Sequence, residues 1–128
     1  MFDNYEFVGL QTSKLFKYAI ELGYDLNNFV DVYMTSVLRS GIDKNDKKFS
    51  GMDYTKQFEY LKNNNLLDGI KKAKNKIDSS IGEGIGMMYT YLQDSGNKTS
   101  KEIIKIVPFT SLIQIYKKFE DMWNIKAE

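Results

Sequence analysis

The residues that most often run chemistry at neutral pH are scarce in this 128-residue chain. It has no histidine and no cysteine. That removes the usual general base, the common zinc ligands, the strongest side-chain nucleophile and any disulfide. Carboxylates, lysines and tyrosines remain. Glu120 and Asp121 adjoin on a helical stretch and so do not face one another, and Asp43 and Asp46 have lysines beside them. Both pairs read as solvated charge. A calcium loop starting at Asp43 fails, because Lys47 and Lys48 stand where an oxygen ligand and a glycine are needed and Tyr54 ends it. Gly82, Glu83, Gly84, Ile85 and Gly86 resemble a phosphate-cradling turn, yet they follow a helix, lack the nucleotide-loop lysine and carry an acid. A hinge or a close helix contact is the better reading. No catalytic residue, metal ligand or cofactor site is assigned, and a non-enzymatic protein is expected; an enzyme built on tyrosine, lysine or carboxylates would need a deep pocket to hold them.

Binding chemistry is better represented. Arg39 is the only arginine. As a cation in a helix's last turn it favours the macrodipole, and its planar guanidinium can anchor a carboxylate or phosphate on a partner. With Tyr33, Val32 and Asp31 on the same helical stretch it forms the candidate partner-binding surface, where tyrosine suits an interface with one apolar and one wet side. Lys71, Lys72, Lys74 and Lys76 form the candidate phosphate-contacting set, read as the outer face of a basic helix over residues 71–76. Ala19 and Gly23 have the spacing of a helix-turn-helix corner within residues 12–40. Its second helix, however, offers Asp25, Asn27, Asn28 and Asp31 to a groove, and carboxylates repel phosphates.

Periodicity places these residues on elements. Thr12 to Leu22 reads as a helix stopped by Gly23. Asp25 to Ser40 carries Leu26, Phe29, Val30, Tyr33, Met34, Val37 and Leu38 at one-face spacing, with Asp25 as cap and Gly41 just past the end. Residues 41–52 have loop chemistry and are the expected exposed, mobile excursion. Asp53 caps a helix broken by Asn63, Asn64 and Asn65. A fourth helix is expected from about Leu66 to Ile81, with Leu67, Ile70, Ile77 and Ile81 inward, and a fifth around Ile85, Met88, Tyr89 and Leu92. Thr99 with Glu102 is a capping box. Pro108 interrupts the chain before a last helix bearing Leu112, Ile115, Tyr116, Phe119, Met122 and Trp123.

These elements make an all-α fold, a single domain over residues 1–128 packed as an irregular bundle of five to seven short helices. Net charge is +1, so no overall field draws in nucleic acid or an anionic membrane. The charge is uneven, however: residues 44–76 hold nine lysines against four acids. The lysine, asparagine and isoleucine bias is what AT-rich coding DNA produces and points to a bacterial or phage source. With no signal-peptide pattern and no membrane-length apolar run, a cytoplasmic location is expected. The expected function is a non-catalytic protein-binding or regulatory module, of small inhibitor, immunity or antitoxin type by analogy of size and class. Its partner is another protein or a second copy of the chain. The alternative is a nucleic-acid-binding regulator using the corner at 12–40 and the lysines of 71–76.

Overall fold

A computed structural model describes residues 1–127, with side chains through Asp121. It is an irregular all-α bundle with eight helices among the described residues: α1 Tyr5–Glu21, α2 Leu26–Met34, α3 Val37–Asp43, α4 Lys47–Ser50, α5 Tyr54–Asn63, α6 Ser79–Gly96, α7 Ser100–Ile106 and α8 Phe109–Ala127. The side chains of Met122 and Trp123, expected on the last helix, lie outside the described residues.

α1 starts a full two turns before the expected Thr12. Gly9, an unfavourable residue mid-helix, is used for contact there: a Cβ on it would lie 3.2 Å from Met87 Sδ of α6. The helix ends as its sequence implies. Gly23 takes a φ of 88°, and the Tyr24 amide reaches back to the Ala19 carbonyl at 3.1 Å, satisfying a carbonyl the helix leaves open. Asp25 then caps α2 by accepting from the Asn28 amide at 3.0 Å.

The expected single helix over 25–40 is in fact two. Thr35 bonds its hydroxyl back to the Asp31 carbonyl at 2.7 Å, and Ser36, in extended geometry, caps a new helix by accepting from the Arg39 amide at 3.1 Å. Local side-chain bonding to the backbone competes with helix continuation at such residues. Gly41 is therefore not a stop: it lies within α3, where the absent side chain makes room for the Phe49 ring. The stretch 41–52, expected as a loop, instead carries the end of α3 and all of α4, with Lys44, Lys47 and Lys48 exposed as expected. Asp46 caps the short α4, and Asp43 and Phe49 are buried.

α1 and α6 make the most extensive helix contact. A Cβ on Gly86 would lie 2.7 Å from the backbone of Ser13, and one on Gly82 2.7 Å from the backbone of Phe16, so only glycine lets the two helices approach this closely. The glycine-rich run is thus a helix contact inside α6. Ser13 Oγ donates to the Glu83 carbonyl at 2.8 Å across the same contact.

The expected helix over 66–81 does not form. Asn65 takes a φ of 60°, and residues 64–78 run as turns, bends and irregular chain until Asp78 caps α6. Leu67 and Ile70 are buried as expected, but Ile77 is 37% exposed. The capping box of Thr99 and Glu102 forms on α7. α8 begins at once after Pro108.

Candidate functional site

The two candidate sets end in opposite environments. Arg39 and Tyr33 are both 0% exposed, so neither can meet a partner, and the partner-binding role read for them is corrected. The break at Ser36 is the physical reason: it restarts the helix so that Arg39 projects into the core. Val32 is half-buried and Asp31 exposed on the outer side of α2. Burial, and then the charge of Asp25, raises the Asp31 carboxyl above its ordinary value.

Inside the bundle Arg39 is met on every side. One terminal nitrogen donates to Thr12 Oγ1 at 2.6 Å and Tyr33 OH at 3.1 Å. The other donates to Gln93 Oε1 at 2.8 Å and Thr90 Oγ1 at 3.3 Å. Nε reaches Gln93 Oε1 at 3.2 Å and pairs with Asp43 Oδ1 at 3.5 Å. Asp43 accepts in turn from Gln93 Nε2 at 2.9 Å and from the Ser100 amide at 2.7 Å. Tyr33 passes its proton toward Gln57 Oε1 at 2.7 Å, and Gln57 Nε2 donates to the Met52 carbonyl. Phe2 closes the assembly with its ring 5.5 Å from the guanidinium carbon. A buried charge is tolerable only when paired and hydrogen-bonded in this way. The network ties α1, α2, α3, α5, α6 and α7 together and is sealed from solvent, so its work is structural. Sequence reasoning missed Thr12, Gln57, Thr90, Gln93 and Ser100. The available signal was Asp43 four residues after the lone arginine, between the core positions Leu38 and Ile42.

The lysine set is exposed and lies on one segment, though not on a helix: the basic helix over 71–76 is corrected to an irregular segment with a bend at Lys74 and Asn75. It is clipped to the α1–α2 corner. The Asp25 amide donates to the Lys71 carbonyl and the Ala73 amide to the Gly23 carbonyl, both at 2.8 Å, which makes an isolated antiparallel bridge between Tyr24 and Lys72. The Lys71 amide donates to Asn28 Oδ1 at 2.8 Å. The missing helical bonds are thereby replaced by bonds to the corner.

The clip forms one wall of an open cleft of about 1100 Å³. Lys71, Lys72, Lys74 and Lys76 line it together with the exposed Ile77 and the half-buried Ile113, and the core residues Leu26 and Phe109 lie behind them. Glu21 and Asp25 are its carboxylates. Lys72 Nζ lies 4.7 Å from the Tyr24 ring centroid, so one face of that ring is covered and the cation is held by it. Among the described residues no group of three acids is placed to hold a metal ion, and no helix is long and apolar enough to cross a membrane. No family of known proteins, no curated protein and no solved structure matches this chain.

Proposed function

We propose that this chain is a non-catalytic protein-binding module whose recognition surface is the cleft between the α1–α2 corner, the lysine segment and the start of α8. One observation carries the reading. The cleft combines accessible apolar side chains, Ile77 and Ile113, with a row of lysines along one wall, and recognition sites are built from such a mixture of apolar lining and a few polar groups. The acids in it, Glu21 and Asp25, have neither a histidine nor a cysteine to work with, and Asp25 is committed to capping α2.

The test is photo-crosslinking in an extract of the source cells, with benzoylphenylalanine placed at Ile77 or Ile113 in the cleft and, as a control, at the exposed Val37 outside it. A discrete protein adduct that survives nuclease and forms from the cleft positions alone is the expected result. Equal labelling from Val37, or no adduct at all, would sink the proposal.

The nucleic-acid alternative retains one supporting feature, since the lysine segment is clipped beside the N-terminal end of α2. It lacks others. The only arginine is buried and Asp31 is exposed on α2.

A further inference from the structure

We infer that the occupant of the cleft is an acidic amphipathic segment of another protein, carrying apolar side chains on one face and carboxylates on the other. This rests on the cleft being a protein-docking surface and adds the chemistry of its partner.

Charge sets the sign of the ligand. Four lysines and two carboxylates line the cleft, and all four lysines are exposed, while three hydrogen bonds to the corner pin the backbone at Lys71 and Ala73, on either side of Lys72. Among the described residues none of the four takes part in an ion pair. Their charge is available to a partner, and the fixed backbone at residues 71–73 spares part of the ordering cost of binding there.

The apolar lining sets the class. Ile77, 37% exposed, and the half-buried Ile113 offer apolar contact that a carboxylate-bearing peptide can fill with its own apolar face. A phosphate backbone has nothing to place there. The covered face of Tyr24 and the absence of an exposed arginine remove a base-stacking platform and a bidentate reader of base edges.

The experiment is fluorescence anisotropy with three labelled probes. One is a helical peptide with leucine on one face and glutamate on the other, one is the same peptide with lysine for glutamate, and one is a DNA duplex of matched charge. The wild-type chain is expected to bind the glutamate peptide and reject the lysine peptide, with affinity falling as salt rises. The combined Lys71→Glu, Lys72→Glu, Lys74→Glu and Lys76→Glu variant, with its helical content checked by circular dichroism, should lose at least about tenfold in affinity for the glutamate peptide and gain binding to the lysine peptide. Ile113→Glu should weaken the glutamate peptide without reversing the charge preference. Tighter binding of the duplex, equal binding of both peptides, or no peptide binding overturns the inference. A cleft adduct from Ile77 or Ile113 together with failure here would mean a docking surface for a partner of other chemistry; loss of that adduct as well would remove the docking surface itself.

Discussion

At the scale of single residues the central object is a cation with no access to water. Arg39 is always charged, so burying it requires that its N–H donors be met, and the structure meets them with Thr12, Tyr33, Thr90 and Gln93 beside Asp43. Removing one member of such a pair strands the other charge. Arg39→Met should therefore destabilise the fold by about 3–5 kcal/mol, read as a lower urea midpoint. Arg39→Lys should recover little of that loss, because a single ammonium cannot satisfy partners placed for a planar fork. If Arg39→Met unfolds at the wild-type midpoint, the network contributes nothing to stability.

Elements are positioned by features smaller than a helix. The closeness of α1 and α6 depends on Gly82 and Gly86, where an added Cβ would meet backbone that cannot swing aside. Gly86→Ala should cost about 1–3 kcal/mol, with the same direction for Gly82→Ala. Gly84→Ala meets only the Tyr116 side chain, which can rotate, and should cost less. Urea denaturation of the three variants gives the ranking, and a Gly84→Ala loss as large as that of Gly86→Ala would contradict the backbone-contact account. The break between α2 and α3 is set by Ser36. Its hydroxyl donates to the Tyr33 carbonyl at 2.6 Å while accepting from the Arg39 amide. Ser36→Ala should cost about 1 kcal/mol and, by loosening the entry of α3, raise hydrogen exchange at the Arg39 amide.

For the whole molecule, the caps impose a dependence on pH. The Thr55 hydroxyl holds the Asp53 carboxyl below its ordinary value, and the amides of Ser80 and Thr99 do the same for Asp78 and Glu102. A carboxyl with a depressed folded-state pKa binds protons less readily than in the unfolded chain. Its stabilisation is complete above the unfolded value and is lost as pH falls through the folded one. Thermal stability should therefore decline below about pH 4. Asp31, raised chiefly by burial, works in the opposite sense, because its charged form is the costly one. Asp78→Asn keeps a good cap and removes one titrating group, so its melting temperature should fall less steeply between about pH 5 and about pH 3 than that of the wild type. Parallel curves would rule Asp78 out as a contributor.

How much of this was legible in the residues depended on the range of the interaction. The all-α class, the Gly23 corner, the caps at Asp25 and Asp53, the Asn63–Asn65 stop and the capping box at Thr99 are settled within a few residues of chain, where periodicity and side-chain-to-backbone bonding act. The candidate site was legible only in part. Lys71, Lys72, Lys74 and Lys76 were identifiable as an exposed basic set, while the helix expected beneath them gave way to hydrogen bonds with Gly23, Asp25 and Asn28, some 40 residues or more earlier. Arg39 looked like a surface anchor because its partners Thr12, Thr90 and Gln93 are 27, 51 and 54 residues away. Local pattern chooses helix, cap and turn; whether a charge meets water or a buried partner is decided only when distant segments pack, since desolvation is a property of the assembled core.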